Sequence, residues 1–322
     1  MSASADSDRG IVEHVIAEGA EGPYAVAVTP DGAVWCTLIR GAAVVRLVPG
    51  GGVGDAAGAR VSRLPLGEGA EPAQLAVADD SSVWVTDSAG NRVLLLGVDA
   101  AGEPVVRLEL AVPTPDAQPF GITTQSDGTA WFTELGRDAL GRIDILGAVT
   151  EFPAGVEGGM VSMIASSGES LWFTANQANA IGYIRGGDSA VQLFELPTPH
   201  AGPVGITVGD DGAAWFVSIL AGSVGRVDRA GRFTEYPLPF SESKPHAICV
   251  DPAGGFWFTL WGSNQLGHIG LDSGSIELID LPAEQSEPHG LAVAPDGTVW
   301  VAMESGALMQ VVPRGDPRPL PA

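Results

Sequence analysis

Residues 286–304 read S-E-P-H-G-L-A-V-A-P-D-G-T-V-W-V-A-M-E, and this stretch predicts the fold of the whole chain. Two short apolar runs, around Leu291 and around Trp300, flank the tripeptide Pro-Asp-Gly at 295–297. Proline presets φ and glycine accepts a positive φ, so the tripeptide favours a tight turn. The stretch therefore predicts a β-hairpin, in which the start of the first strand lies beside the end of the second.

The same hairpin recurs along the chain. Each copy is followed by a third strand, such as G-R-I-D at 141–144, and a fourth, such as E-F-P at 151–153. Four strands in about 40–45 residues is the period of a propeller blade. We therefore predict an all-β, seven-bladed β-propeller of four-stranded antiparallel blades. Seven of the eight tryptophans mark the repeat, with spacings of 49, 47, 41, 43, 42 and 43 residues: Trp35, Trp84, Trp131, Trp172, Trp215, Trp257 and Trp300.

The two ends of the repeat predict how the ring closes. Residues 11–17 resemble the fourth strand of a blade, and Ala307–Val312 resembles a third strand. The seventh blade then lacks a fourth strand, which the N-terminal strand can supply, and this pairing protects a sheet edge. The prediction is one propeller domain over residues 11–313, with residues 1–10 and 314–322 as flexible tails.

The composition restricts the partners and the compartment. Acidic residues number 39 and basic residues 16, for a net charge of −23. Such an excess of negative charge argues against nucleic acid and against an anionic membrane surface as partners. No apolar run reaches transmembrane length, and the N-terminus lacks the apolar region of a secretory signal. We expect a cytoplasmic monomer whose cysteines, Cys36 and Cys249, are buried thiols without a disulfide.

One position of the repeat predicts which side chains meet. The first strand of a propeller blade is innermost, so residues just before its apolar start should surround one mouth of the central channel. Two of the five histidines occupy this position in adjacent blades, although a polar mouth that merely tolerates histidine is the alternative. The other three, His14, His200 and His268, are expected to be structural or solvated. The position is held around the ring by Tyr24, Ala73, Phe120, Ser162, Val204, His246 and His289.

Carboxylates are predicted at the same mouth. Glu287 begins the last hairpin and Glu304 ends it, so both should lie beside His289. Carboxylate oxygens suit Mg²⁺, and imidazole suits a general base near neutral pH. The hairpin thus predicts a Mg²⁺ site at Glu287 and Glu304, with His289 as the base. Three further acids make the expected mouth acidic, although a solvated acidic rim would look the same: Glu71, Asp87 and Glu134.

Aromatic side chains complete the predicted site. Tyr24 and Phe120, together with Trp261 just past the sixth blade's repeat tryptophan, are expected to form an apolar wall at the mouth. Tyr24 is therefore predicted to contact the substrate. A role in the core is the alternative for Phe120.

With these residues in view, the chain resembles the virginiamycin B lyase (streptogramin B lyase) family from residue 22 to about Val312. The most specific pieces are K-P-H-A-I at 244–248, W-F-T-L-W-G at 257–262, E-P-H-G at 287–290 and A-M-E at 302–304. The resemblance implies a carbon–oxygen lyase that linearises cyclic type B streptogramin depsipeptides by elimination at the threonyl ester. Such a reaction inactivates the antibiotic, confers antibiotic resistance and consumes no water.

The resemblance also implies roles for individual residues. Glu287 and Glu304 match Mg²⁺ ligands, His289 matches the proton acceptor, and His246 matches a substrate-binding histidine. His246 has no carboxylates in its own hairpin, so hydrogen bonding to the substrate and protonation of a leaving oxygen both remain open. The chain departs from the family where an acidic residue usually follows W-F-T, and these changes affect the cavity wall: Leu260, Ala175 and Ser218.

Two other functions remain open at this point. The first is a metal-dependent hydrolase or lactonase on the same propeller, since fold does not determine function. Hydrolysis would add one water to the substrate, whereas elimination leaves its mass unchanged. The second is a non-enzymatic binding propeller whose acidic mouth holds a basic partner.

Overall fold

The computed structural model describes residues 10–50, 58–186, 190–271, 274–282 and 287–313. Within these residues, 28 strands form seven four-stranded antiparallel sheets, which confirms the predicted seven-bladed propeller. Two 3₁₀ turns, Gly19–Glu21 and Ser241–Ser243, interrupt the loops. No helix in the described part has the length and apolar character needed to cross a bilayer. The predicted tails lie outside the described residues except for Gly10, which begins the first strand.

The strands are numbered β1 to β28 in chain order, and β1 is Gly10–Val15. Blades one and two contain β2 Pro23–Val28, β3 Val34–Leu38, β4 Ala43–Val48 and β5 Arg60–Pro65, then β6 Pro72–Val77, β7 Val83–Asp87, β8 Arg92–Val98 and β9 Pro104–Ala111. Blades three and four contain β10 Pro119–Thr124, β11 Ala130–Glu134, β12 Ala139–Ile143 and β13 Val149–Pro153, then β14 Val161–Ser167, β15 Ser170–Ala175, β16 Ala180–Ile184 and β17 Val191–Glu195. Blades five and six contain β18 Pro203–Val208, β19 Ala214–Ser218, β20 Ser223–Val227 and β21 Phe233–Pro237, then β22 Pro245–Val250, β23 Phe256–Leu260, β24 Gln265–Ile269 and β25 Ile276–Asp280. Blade seven contains β26 Pro288–Val293, β27 Val299–Met303 and β28 Ala307–Val312.

The N-terminal strand closes the ring as predicted. β1 pairs antiparallel with β28 and becomes the outermost strand of blade seven. The buried ring of His14 lies 5.2 Å from that of Trp300, and its Nε2 is 3.0 Å from Oε1 of Gln310. The strand ends at Val15, two residues earlier than predicted, because the next two N–H groups both donate to the carbonyl of Gly306.

The repeat tryptophans pack between blades. Trp35 of blade one lies in a cluster with Leu75 and Val85 of blade two. Trp257 of blade six lies with Leu291 of blade seven in the same way. Each blade thus buries its faces against its neighbours, and burying large aromatic side chains supplies much of that apolar area. Six of the seven are buried: Trp35, Trp84, Trp172, Trp215, Trp257 and Trp300.

The remaining histidines have the expected structural roles, and the cysteines match the expectation in part. His268 Nε2 lies 2.9 Å from a carboxylate oxygen of Asp251 on the same blade. His200 is exposed in a loop. Both cysteines are free thiols, but only Cys36 is buried as expected, whereas Cys249 is partly exposed.

Two of the predicted mouth carboxylates lie between blades instead, so the expectation for them was wrong. Asp87 and Glu134 are 0% and 1% exposed. The third residue after each repeat tryptophan still belongs to the second strand and packs against the preceding blade, as Leu38 does in blade one. Asp87 is accordingly structural, because it is paired with Arg92 at 2.8 Å and accepts the backbone N–H of Glu71 at 2.8 Å.

Glu134 is a buried carboxyl group without full compensation. Its Oε1 has no hydrogen-bond partner among the described residues. The neighbouring carboxylate of Glu151 accepts the N–H and the O–H of Thr114, each at 3.0 Å. Burial raises the pKa of Glu134 to about 7, and the charge of Glu151 contributes to the increase. Folding therefore favours the protonated form of Glu134.

This raised pKa predicts a pH-dependent stability. The folded state holds the Glu134 proton more tightly than the unfolded chain, whose pKa is near 4.5, so the free energy of unfolding should fall as the pH rises from about 4.5 to 7. The fall should amount to about 3 kcal/mol at most. Glu134→Gln should abolish it and raise the melting temperature at pH 8, as measured by thermal unfolding across this range.

The exposed carboxylate of Glu71 provides the control. Glu71→Gln should leave the pH profile of the melting temperature unchanged. An unchanged profile for Glu134→Gln would instead show that Glu134 is already ionised in the folded protein under acidic conditions.

Candidate active site

The second residue of each first strand turns toward the channel because a bulge precedes the regular pairing. In all seven first strands the pairing register shifts between the first and the fourth residue. Bulges re-aim side chains in this way beside active sites. The ring of Tyr24 lies 5.1 Å from that of His289, 5.7 Å from that of His246 and 6.1 Å from that of Phe120. The structure thus brings together predicted residues of blades one, three, six and seven, and Ala73 of blade two is small enough to let this happen.

The aromatic wall predicted from the sequence is present. Trp261 follows β23 of blade six, and its ring centroid lies 6.4 Å from that of His289. The Lys244 ammonium lies 4.9 Å from the centroid of the Trp261 ring, a favourable cation–π contact. Burial raises the pKa of Tyr24 to about 12, so its phenol stays protonated at neutral pH and can donate a hydrogen bond.

Glu287, His289 and Glu304 form the one group of three or more possible metal ligands found among the described residues. One ligand atom of each lies within 4.8 Å of the others, and all three side chains are half-buried. Glu304 is the fourth residue after Trp300, just past the strand end and on the face turned toward blade one. Glu287 precedes β26 with a left-handed φ of 41°, which is uncommon for a non-glycine residue. Lys244 has the same conformation in blade six, so this is the geometry of the repeat.

The two carboxylates interact directly. The nearby carboxylate of Glu304 raises the pKa of Glu287, whereas the hydrogen bond with Glu287 lowers that of Glu304. Arg40 of blade one also lowers the pKa of Glu304, and its Nη2 lies 2.5 Å from Oε1 of that residue. Two adjacent carboxylates repel unless a proton or a cation lies between them. Their hard oxygen atoms and partial exposure fit a hydrated Mg²⁺.

His289 presents one ring nitrogen to these carboxylates. Its Nε2 lies 3.3 Å from Oε2 of Glu304, while its Nδ1 is buried and lacks a hydrogen-bond partner among the described residues. Burial lowers the pKa of His289, and the Arg40 charge lowers it further, although Glu304 opposes both. The imidazole is therefore neutral near pH 7, and its Nε2–H donates to the ionised Glu304 carboxylate in this arrangement.

His246 is neutral as well. Its ring centroid lies 5.0 Å from that of His289. Burial lowers the pKa of His246 to about 3, and the proximity of His289 contributes. A group with so low a pKa is uncharged at pH 7 and has little acid available to transfer. Of the two roles left open by the sequence, this environment favours hydrogen bonding to a ligand over protonation of a leaving oxygen.

A buried threonine holds the backbone of His289. Thr259 accepts a hydrogen bond from the N–H of Ala247 at 3.0 Å in its own blade and donates one to the carbonyl of His289 at 2.7 Å in the next. The equivalent residue is Val217 in blade five and Ala302 in blade seven, so these blades lack the bridge. Three other blades repeat the bridge to their neighbours: Thr37 in blade one, Thr86 in blade two and Thr133 in blade three.

Gly290 allows the first strands of blades seven and one to approach closely. A Cβ at this position would lie 2.5 Å from the carbonyl oxygen of Tyr24, closer than any real contact. The glycine of E-P-H-G is thus required where His289 and Tyr24 meet.

Sequence reasoning missed two residues of this site. Thr259 is the threonine of the W-F-T motif, and a threonine two residues after the tryptophan recurs in five blades. Arg40 lies two residues past β3, outside the repeat positions that predicted the channel mouth. The signal for Arg40 was its place five residues after Trp35, one position beyond the equivalent of Glu304.

Comparison with known proteins identifies the family. Residues 9–311 match the profile of the virginiamycin B lyase family. The chain belongs to the virginiamycin B lyase family. It is 40% identical over 245 residues to the virginiamycin B lyase of Nocardia farcinica, which covers 76% of this chain and 79% of that relative. The enzyme class predicted from the sequence, a lyase, is thereby confirmed.

Solved structures of virginiamycin B lyases have the same fold. The Staphylococcus aureus enzyme superimposes with a TM-score of 0.84 at 32% identity, covering 94% of this chain and 99% of the relative. A second structure, of a catalytically inactive histidine-to-alanine variant of that enzyme with quinupristin, gives the same values. A structure described as a streptogramin B lyase matches at 31% identity with a TM-score of 0.84, covering 96% and 99% of the two chains.

The two hydrogen bonds of Thr259 should affect turnover, because they fix the position of His289. Thr259→Val keeps the shape of the side chain but removes both hydrogen bonds, and Val217 shows that the fold accepts valine at this position. We expect a loss of stability of about 1–3 kcal/mol. We also expect about a tenfold lower kcat, since small misplacements of a reacting group are costly. Thermal unfolding and steady-state lyase assays measure the two effects.

Thr37→Val is the matched control. Thr37 makes the same two bonds, but its acceptor is the carbonyl of Ala73, whose side chain carries no reactive group. It should lose similar stability while keeping its kcat. An equal fall in kcat for both variants would show that the bridge acts only on the fold.

Proposed function

We propose that this protein inactivates cyclic type B streptogramin depsipeptides by linearising them through elimination at the threonyl ester, as a Mg²⁺-dependent carbon–oxygen lyase. The observation that carries the proposal is the cluster of Glu287, His289 and Glu304 beside His246 and an aromatic wall, in a member of the virginiamycin B lyase family.

The substrate class is supported by the relatives and by the mouth. One relative was crystallised with quinupristin in a catalytically inactive histidine-to-alanine variant. The aromatic rings of Tyr24, Phe120 and Trp261 offer this chain an apolar surface suited to a cyclic, aromatic depsipeptide. Binding of a large ring at the mouth would also exclude water from the half-buried imidazole and carboxylates.

The carboxylates of Glu287 and Glu304 would hold the metal. When bound, Mg²⁺ supplies positive charge that polarises a substrate carbonyl and stabilises negative charge developing beside it. Both carboxylates would need to be ionised to hold it. Waters would complete the coordination, as Mg²⁺ usually keeps several.

His289 would perform the proton transfer. Its neutral imidazole takes the α-proton of the threonyl residue on the ring nitrogen that carries the lone pair, a C=C bond forms between Cα and Cβ, and the Cβ–O bond breaks. The ester oxygen leaves with its electron pair as a carboxylate, so the ring opens without added water. Glu304 Oε2, 3.3 Å from Nε2, would stabilise the imidazolium formed.

His246 and Tyr24 would orient the substrate. Both groups are neutral near pH 7, and each can donate a hydrogen bond to a substrate carbonyl. Their rings lie against that of His289, so an ester bound to them would be positioned beside its imidazole. A cytoplasmic, monomeric protein and a role in antibiotic resistance remain predictions.

The product distinguishes this reaction from hydrolysis. Incubation of the purified protein with a type B streptogramin and Mg²⁺ should give a linear product of unchanged mass, measured by mass spectrometry, and chelation should stop the reaction. A product heavier by one water would identify a hydrolase. The absence of any product, with tight binding of a basic protein, would favour the binding propeller.

The two histidines should respond differently to substitution. His289→Ala removes the base and should reduce kcat by at least about 100-fold, with little change in substrate affinity. His246→Ala should weaken binding and rate together, because it removes a contact to the substrate in both states. Steady-state kinetics and binding measurements separate these effects. Near wild-type kcat in His289→Ala, with an inactive His246→Ala, would place the base in blade six.

A further inference from the structure

We infer that Arg40 occupies the metal-binding carboxylate of Glu304 as an intramolecular competitor and thereby sets the affinity of the site for a divalent cation. The inference rests on the metal site of the proposed function and adds a residue to it. It follows from where Arg40 is held, which oxygen atom it takes and how exposed the ion pair is.

Backbone carbonyls of the 3₁₀ turn that precedes blade one hold Arg40 near Glu304. Arg40 lies two residues beyond β3, where its Nε donates to the carbonyl of Ala20 at 3.0 Å and its Nη2 approaches that of Gly19 at 3.4 Å. Below the guanidinium lies Gly22, where a Cβ would be 2.8 Å from Cζ of Arg40. Gly22 has a φ of +63°, which favours glycine, and the lack of a side chain there also leaves room for the guanidinium.

Both carboxylate oxygen atoms of Glu304 have partners, and Arg40 is one of them. Nη2 of Arg40 lies 2.5 Å from Oε1, and Nε2 of His289 lies 3.3 Å from Oε2. A divalent cation that binds Oε1 of Glu304 must therefore share that atom with the guanidinium or displace it. Either alternative weakens metal binding, because like charges repel and the guanidinium hydrogen bond is lost or strained.

The ion pair is exposed enough to exchange with a metal. The Arg40 side chain is 50% exposed and that of Glu304 is 23% exposed. Pairs of this kind are weak in water, so a cation can break this one at a modest cost in affinity. In the absence of metal, the guanidinium neutralises part of the charge of the two carboxylates and keeps Glu304 oriented toward His289.

Binding of Mn²⁺ alone, without substrate, tests the inference. Electron paramagnetic resonance reports free Mn²⁺ directly, and competition with Mg²⁺ gives the affinity for the physiological ion. Arg40→Gln removes the charge and should tighten the Kd for Mn²⁺ by about 3- to 10-fold. Arg40→Lys keeps the charge but loses the planar guanidinium with its several N–H donors. Its Kd for Mn²⁺ should lie between those of the wild type and Arg40→Gln.

Arg63 provides a matched control in the same blade. Its Nη2 lies 2.5 Å from Oε1 of Glu21 and 3.0 Å from the carbonyl of Gly41, and its side chain is 43% exposed. Arg63→Gln makes the same change in net charge but should leave the Kd within about twofold. Added salt should narrow the difference between the wild type and Arg40→Gln, because the effect is electrostatic.

The outcomes separate this inference from the proposed function. A Kd for Arg40→Gln that is unchanged or weaker, in a variant with normal thermal unfolding, overturns the inference and leaves the metal site in place. Equal tightening in Arg63→Gln also overturns it, since the effect is then one of net charge. If Glu304→Gln binds Mn²⁺ as the wild type does, or the wild type does not bind Mn²⁺, the metal site of the proposed function is wrong and the inference with it.

Discussion

A four-stranded blade can bury its two faces only against neighbouring blades, and the whole structure depends on this constraint. The repeat tryptophans fill the spaces between blades, and β1 completes blade seven so that no blade lacks a neighbour. The seam where the ring closes is also where the candidate active site lies. Blade seven contributes Glu287, His289 and Glu304, while blade one contributes Tyr24 and Arg40. The site is therefore complete only when the ring is closed.

Two pairs of neighbouring carboxyl groups in this protein have different properties because one pair is buried and the other is accessible to solvent. Glu134 and Glu151 lie between blades, where burial favours a proton on Glu134 and Thr114 satisfies its neighbour. Glu287 and Glu304 lie at the channel mouth, where Arg40 offers a cation and where solvent has access. The first pair affects stability, whereas the second is accessible enough to hold the metal ion of the proposed function. Access from the channel is the physical difference between them.

The neutral state of both histidines follows from the same arrangement. Burial against Tyr24 and against each other disfavours the imidazolium form, although the protein as a whole carries a net charge of −23. Local desolvation therefore outweighs the long-range field of the acidic surface, which solvent and salt screen. Thr259 and Gly290 contribute by fixing the backbone around His289, so the imidazole is positioned by rigid strands.

The sequence by itself determined the repeat, the number of blades, the closing strand and the residues Tyr24, His246, Glu287, His289 and Glu304. It did so because these features depend on period and on position within a repeat, which are local properties. Only the tertiary structure decided the positions of Asp87 and Glu134, because alternation along a strand determines a face but not which neighbour covers it. It also decided the contact of Arg40 with Glu304, which are 264 positions apart in sequence and meet only when the ring closes. The electrostatics of the site arise from such contacts across the seam, and a linear pattern does not contain them.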